Sequence, residues 1–253
     1  MSFPHARGAR PEDAATVILA RDASEGLEVY MTRRQDYLRF MGGYYVFPGG
    51  KVDPADIGGD ILRCLDGFGP ERALERMAGI GDPPRALGFM VAAARELYEE
   101  AGVLLAKDAE GRPADLSDPK LGPGLAELRK RLQADEITLP ELLKASGLRL
   151  DLGDMWWFAH WITPATSPRR FSTHFYLAGL PEGQLASAFE EEISDARWVS
   201  PRKALDMWRS REWDMIPPTV ASLDTLSRYG GVADALADFS KPPSEFRRTV
   251  WKG

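Results

Sequence analysis

The stretch from Arg85 to Ala101 is the most regular in the chain, and the rest of the fold has to accommodate it. Met90, Ala93, Ala94, Leu97, Ala101 and Leu104 recur at intervals of three and four, which places one apolar stripe along an α-helix. Such a stripe needs an apolar surface to lie against, and strand-like runs elsewhere in the sequence provide one. "AATVILAR" (14–21) and "LEVYMTRR" (27–34) are β-branched or alternating, and the turn-rich "DASEG" between them predicts a hairpin. "GGYYVFPGG" (42–50) reads as a short aromatic strand ending in a Gly-Gly turn. "MWWFAHWIT" (155–163), "RFSTHFYLAGL" (170–180) and "ARWVSP" (196–201) add further strands. More helices are predicted at "GLAELRKRLQ", "TLPELLKASG", "PRKALDMW" and "PPTVASLDTLSRYG", the last with Pro217 and Pro218 at its start. Between Pro54 and Pro84 lies a breaker-rich segment holding one short helical piece, "PERALERMAG". Strands and helices mix throughout the 253 residues with no internal repeat. We therefore expect a single α/β domain over 1–253, with insertions at about 57–84 and 116–150.

The end of the regular helix breaks local rules. "ARELYEEAGV" (94–103) sets Glu96, Glu99 and Glu100 at i, i+3 and i+4, where like charges repel by roughly 0.2–0.5 kcal/mol per pair. Gly102 follows as a C-cap glycine, so Glu99 and Glu100 also oppose the helix dipole at about 0.3–1 kcal/mol each. An Arg95–Glu99 ion pair on a solvated face is the bland explanation. Two broken rules at one place point instead to a site, and a hard divalent cation, Mg²⁺ or Mn²⁺, is the natural compensation for clustered carboxylates.

Composition excludes several classes. A net charge of -6 argues against a nucleic-acid backbone as the partner, although a local arginine cluster still suits a small anion. Cys64 is the only cysteine, so neither an internal disulfide nor a thiolate metal site is expected, and a reducing, cytoplasmic setting is. The first residues show no apolar signal core and no run approaches a membrane span, so no membrane partner is expected. His5, His160 and His174 have no metal-ligand spacing, and His160 and His174 read as structural. Neither a phosphate-binding Gly-x-x-x-x-Gly-Lys-Ser/Thr loop nor a Gly-x-Ser-x-Gly elbow occurs.

Taken with "FPGGKVD" (47–53), the glutamate helix resembles the Nudix box, Gly-x5-Glu-x7-Arg-Glu-U-x-Glu-Glu-x-Gly-U with U apolar. The second half is complete in Arg95, Glu96, Leu97, Glu99, Glu100, Gly102 and Val103. The first half is Gly50, five residues, then Asp56 where the family has Glu, and about thirty extra residues separate the halves. That interruption resembles one branch of the Nudix hydrolases, which includes coenzyme A diphosphatases. "PRRFSTHFYLAG", "FEEEISDARWVSPRKAL" and "IPPTVASLDTL" extend the likeness to roughly residues 12–230.

The resemblance implies a Nudix-fold α/β/α sandwich with a mixed β-sheet and helical insertions. It implies a metal-dependent diphosphatase in which Glu96, Glu99 and Glu100 hold Mg²⁺ or Mn²⁺ and Arg95 orients them. Gly49 and Gly50 turn the backbone tightly under the helix. The general base is a box glutamate or one of Glu190, Glu191 and Glu192. Arg39-x3-Gly43-x3-"FPGG", with Arg34 upstream, matches most of a motif associated with coenzyme A hydrolysis, though Gln35 departs from it. The 3′-phosphate of coenzyme A calls for extra arginines, for which Arg34, Arg39, Arg169 and Arg170 are the candidates. Trp156, Trp157, Phe158 and Trp161 raise adenine stacking; alternation in a strand sends one of Trp156 and Trp157 to the core. Coenzyme A or an acyl-coenzyme A is the leading substrate. ADP-ribose or NADH is the alternative within the class, and a non-catalytic nucleotide sensor the alternative outside it. Glu99 and Glu100 are both expected at the surface, and the 116–150 helices offer a possible homodimer face.

Overall fold

The computed structural model describes residues 10–38, 40–189, 191, 193–242 and 248–250, the last three by their backbone. Strands β1 (Glu12–Ala23) and β2 (Gly26–Arg34) form the expected hairpin, closing from Ala20↔Val29 to Ala23↔Gly26. Gly26 takes a φ of 109°, which the tight turn requires and only glycine adopts freely. β2 also pairs antiparallel with β3 (Tyr45–Val46) and with β9 (Ile193–Val199), while β4 (Gly49–Lys51) pairs with the start of β1. On its other side β1 runs parallel to β8 (Phe171–Gly179), from Glu12↔Phe171 to Ala20↔Gly179. β8 is antiparallel to β7 (Trp156–Ile162), which carries β10 (Arg248–Val250) in parallel at the edge. The result is one mixed sheet in the order β10-β7-β8-β1-β2-β3.

Because side chains alternate across a strand, the two faces of this sheet feed two separate cores. Ala15, Val17 and Leu19 of β1 join Tyr176 and Ala178 of β8 on one face. Ile18 and Ala20 join Phe175 and Leu177 on the other. The first face is covered by α1 (Pro54–Ile57), α2 (Gly59–Leu62), α3 (Pro70–Glu75), α4 (Pro83–Ala101), α5 (Gly122–Gln133) and α6 (Leu139–Ser146). The second is covered by α7 (Pro201–Arg209), α8 (Pro217–Leu226) and α9 (Val232–Phe239). This is the expected α/β/α sandwich. The periodicity did not single out α9; its Val232, Ala235 and Phe239 close the second core.

α4 is the regular helix of the sequence, starting two residues earlier than its apolar spacing predicts. Asp82 accepts the Arg85 N–H as N-cap, and Pro83 and Pro84 occupy first-turn positions where a missing N–H costs nothing. Gly102 ends it in the left-handed region at φ 66°. The two sequence excursions are tied together. Leu150 of the small sheet β5 (Ala106–Lys107)–β6 (Arg149–Leu150) exchanges backbone hydrogen bonds with Cys64 and Asp66. Leu125, Leu132, Leu139, Leu142 and Leu143 turn the apolar faces of α5 and α6 into the core beside α4. Among the described residues no helix is long and apolar enough to cross a membrane.

Leu97, between Glu96 and Glu99 in sequence, is fully buried and packs in the core. Leu97→Ala is expected to lower unfolding stability by about 3 kcal/mol, read from urea denaturation midpoints, because the cavity under α4 cannot collapse onto a rigid sheet.

Candidate active site

Arg95 leaves the buried side of α4 and gathers the surrounding acids. Its Nε and Nη2 donate to the two oxygens of Asp56 at 3.1 Å each, a bidentate pair between groups that are 9 % and 1 % exposed. Nη2 also donates to the Lys51 carbonyl at 2.8 Å, and Nη1 to Glu96 at 2.9 Å and Glu99 at 3.2 Å. Asp53 lies 3.3 Å away. The two halves of the interrupted motif thus meet in space. Asp56 reaches Arg95 from α1, whose N-terminus it also caps by accepting the Asp53 N–H.

β4 crosses directly over the glutamates. The Gly49 N–H donates to Glu100 Oε2 at 3.2 Å. A Cβ on Gly50 would fall inside the Glu96 carboxylate, and one on Gly49 would strike the Ala15 carbonyl and Thr16. Both positions therefore require glycine for close approach; they lie in the extended strand β4 and not in the tight turn expected of them. Contrary to expectation, Glu100 is buried, because β4 and Arg34, 3.8 Å from its Oε1, cover it. Glu96 and Glu99 are mostly enclosed as well, with side chains 13 % and 17 % exposed.

Burial sets the electrostatics. The Glu96 carboxyl is pushed up to about 7, chiefly by desolvation and against the pull of Arg95. Glu99 is pushed up to about 8 by desolvation and by the charge of Glu96. Desolvation also raises Asp56. Desolvation pulls Arg95 down, but Glu96, Asp56 and Glu99 outweigh it and hold the guanidinium firmly charged. The acids exceed the cations that compensate them. As the side chains stand, no three acidic or histidine groups among the described residues converge on one point, since Glu96 and Glu99 lean on Arg95. The donor set still fits a hard divalent cation. It is all carboxylate oxygen, on one helix turn, with the side-chain-free backbone of Gly49 and Gly50 lying directly over it.

A cleft of about 630 Å³ opens onto this cradle. Ala14, Ala15 and Thr16 of β1 and Gly49, Gly50 and Lys51 of β4 form its floor. Phe40, Met41, Trp161, Phe171, Ile216 and Pro218 make its largely apolar walls, and Arg34 and Arg169 are its guanidiniums. Two buried donors, Arg34 Nε and Trp161 Nε1, have no acceptor among the described residues, and both belong to cleft-lining side chains. Buried polar groups are rarely left unpaired, so both donors are open to an acceptor that the described residues do not supply.

The expected residues divide as follows. Arg95, Glu96, Glu99, Glu100, Gly49, Gly50 and Arg34 come together. Arg170 instead donates through Nε to the carbonyls of Thr163 and Pro164, and its neighbour Arg169 lines the cleft. Arg39, Glu190 and Glu192 lie outside the described residues. Glu191 accepts the Tyr37 hydroxyl with its main-chain carbonyl. Trp157 is core and donates to His174 Nδ1 at 3.0 Å. Trp156 faces away from that core under the Arg76 guanidinium at 3.7 Å, and Trp161 is the tryptophan that reaches the cleft. His160 and His174 stack at 4.0 Å inside the sheet layer, consistent with a structural role. Sequence reasoning missed the Lys51 carbonyl and the Trp161 donor, and no spacing signal announces either.

A solved Nudix hydrolase from Alicyclobacillus acidocaldarius shares this architecture, with a TM-score of 0.73 at 29 % identity over 93 % of this chain and 99 % of that one. Fold and carboxylate helix together are those of a Nudix hydrolase. More narrowly, residues 11–226 match the NUDT19 Nudix domain, and the chain belongs to that family. The acyl-coenzyme A diphosphatase NUDT19 of Gallus gallus is 30 % identical over 88 % of this chain and 69 % of its own length. The Homo sapiens protein of the same name is 28 % identical over 89 % of this chain and 67 % of its own length. Nudix hydrolases generally use divalent metals, which agrees with the donor set on α4.

Glu96 and Glu99 bind protons more tightly in the folded chain, near 7 and 8, than at the ordinary carboxyl value of 4.5. Between those values the native state holds more protons than the unfolded one, so stability falls as pH rises. Chelator-treated protein is expected to show a melting temperature that declines from about pH 5 to about pH 8. Added Mn²⁺ should flatten the decline, since it binds the ionised carboxylates. A melting temperature rising across that window would show that the carboxylates are already compensated.

Proposed function

We propose that this chain hydrolyses the diphosphate of coenzyme A or an acyl-coenzyme A, giving 3′-phospho-AMP and phosphopantetheine or its acyl derivative. The observation that carries this reading is the junction of two unlike surfaces. A mostly apolar cleft with two unpartnered donors includes in its lining the glycines that lie over the glutamates. A nucleotide with an extended uncharged arm matches both halves, and the volume is in the usual range for ligand sites. The names of the chicken and human relatives support the same substrate class.

In this reading Glu96, Glu99 and Glu100 would hold Mg²⁺ or Mn²⁺, directly or through water, and the bound ion would supply charge neutralisation at the diphosphate and a more acidic attacking water. Water adds to one phosphorus and releases a proton to the general base, the bridging P–O bond breaks, and the departing phosphate keeps the electron pair. Arg95 fixes the glutamates, with Asp56 locking its guanidinium. Gly49 and Gly50 let the β4 main chain approach the carboxylates. Arg34, whose Nε has no acceptor among the described residues, receives a phosphate in this reading, and of the neighbouring candidates Arg169 and Arg170 it is Arg169 that lines the cleft. Arg39 remains a candidate for the 3′-phosphate on its motif alone. The excursions at 57–84 and 116–150 belong to one Nudix domain in this account, since both pack on α4. The single buried thiol, Cys64, favours a reducing, cytoplasmic setting.

Coenzyme A, acetyl-coenzyme A, 3′-dephospho-coenzyme A, ADP-ribose and NADH should be compared with Mg²⁺ and Mn²⁺, with products identified by mass. Coenzyme A species are expected to lead. Preference for ADP-ribose or NADH would keep the chemistry and discard this substrate, and binding without turnover would favour a sensor. Glu99→Gln is expected to lower kcat by more than the ~100-fold typical of losing an outer-shell partner of a metal. Glu100→Gln should additionally lower the melting temperature, because Glu100 accepts the Gly49 N–H in a buried position. Arg34→Ala should raise KM more than it lowers kcat.

A further inference from the structure

The last four carbonyls of any helix lack intrahelical donors, and at the end of α4 each has found one. Tyr98 O accepts from Gly102 N–H at 2.9 Å, Glu100 O from Phe189 N–H at 3.2 Å and Ala101 O from Ser187 N–H at 2.8 Å. Glu99 O is different, because side chains from α5 serve it. Arg129 donates to it through Nε at 3.2 Å and Nη2 at 2.9 Å, and Gln133, one turn along the same face, donates through Nε2. Arg129 further donates to the Ser187 carbonyl at 2.9 Å and to Ser187 Oγ at 3.0 Å, so it clasps the helix end and the 181–189 loop together. Among the described residues its guanidinium meets no carboxylate. A half-buried cation is thus held by main-chain carbonyls at the negative end of the helix dipole, where it opposes the charge of Glu99 and Glu100. A Cβ on Gly102 would collide with Arg129 and Ser187, which places the C-cap glycine in the same arrangement.

We propose that Arg129, assisted by Gln133, is a positioning residue that sets the direction of the Glu99 carboxylate by fixing the last turn of α4. The α5 excursion is then part of the site's support and not only core packing. This rests on the reading of Glu99 as a metal-holding group. Arg129 touches neither the carboxylate nor the cleft, so its effect must pass through Glu99.

The test uses the full chain with Arg129→Ala, Arg129→Lys and Gln133→Ala, each alone and with Glu99→Gln. Three quantities are read: Mn²⁺ affinity of substrate-free protein by calorimetry, kcat and KM, and amide hydrogen exchange over 98–103. Arg129→Ala is expected to weaken Mn²⁺ binding and lower kcat by about tenfold each, the lower end for an outer-shell partner, with KM within about twofold. Exchange in the last turn should quicken, and Arg129→Lys should recover part of kcat. In the Glu99→Gln background, Arg129→Ala should cost nothing further, since the group it positions is gone. A lower melting temperature with Mn²⁺ affinity and kcat unchanged overturns the proposal, as do fully additive losses in the double variant. If Arg129→Ala does not fold, Arg129→Lys and Gln133→Ala decide by the same criteria with smaller shifts. If wild type cleaves no diphosphate, the functional reading fails, while Mn²⁺ affinity and exchange still decide the role of Arg129.

Discussion

The Asp56–Arg95 pair is the interaction on which the site depends. A guanidinium and a carboxylate that are both removed from water are stable only together, with their remaining donors and acceptors filled. Here they are. Asp56 takes two bonds from Arg95 and one from the Asp53 N–H, and Arg95 reaches the Lys51 carbonyl and two glutamates. This pair spans 39 residues of sequence and closes the motif that the excursion interrupts. Once its ends are pinned, the chain between them is free to vary in length. The shorter aspartate, in place of the family's glutamate, is accommodated because Asp56 sits in the first turn of α1, within reach of both its own N-cap and Arg95.

The cleft follows from a change of partner along β1. Near Ala20 to Ala23 the strand pairs with β2, but at Ala14 to Thr16 it pairs with β4. Between these points β1 and β2 part. The space left over is walled by the 40–47 segment, the end of β7, the start of β8 and the start of α8. β4 lies at the floor of that space on one side and over α4 on the other. A strand of two glycines and a lysine is thin enough to let a ligand in the cleft and a carboxylate on the helix approach the same backbone. Any larger residue at Gly50 would occupy the meeting point.

Much of this was legible in the sequence, for identifiable reasons. α4 is readable because its stripe is long and ends at an unambiguous glycine. β1, β2, β7 and β8 are readable because alternation and β-branching coincide. The burial of Glu100 was not readable. Spacing shows that Glu96, Glu99 and Glu100 share a region of the helix, but not what lies above it, and the covering element, β4, has almost no side chains to leave a pattern. Arg129 is silent for a related reason. It appears as one more basic residue on an amphipathic helix, and its partner is a backbone carbonyl 30 residues away. Trp156 and Trp157 separate as alternation requires, yet only the fold shows Arg76 lying over the outward one.

The placement of three glutamates at a helix C-terminus is consistent once the local charges are counted together. Asp53, Asp56, Glu96, Glu99 and Glu100 are five carboxyl groups, and Arg95 and Arg34 return two positive charges. Arg129 offsets the dipole but is spent on carbonyls. The acids outnumber the cations in a poorly solvated place, and Glu96 and Glu99 respond by holding protons to about 7 and 8. Protons and a divalent cation are therefore competing solutions to one imbalance, and only the cation adds a centre that polarises phosphate. The enclosure that raises the carboxylates' hold on protons is the same one that favours a divalent cation there. A more exposed cluster would ionise freely, with solvent screening its charge and less reason to bind an ion. Burial by β4, support by Arg95 and the dipole-facing Arg129 thus belong to a single arrangement that concentrates negative charge without letting water relieve it.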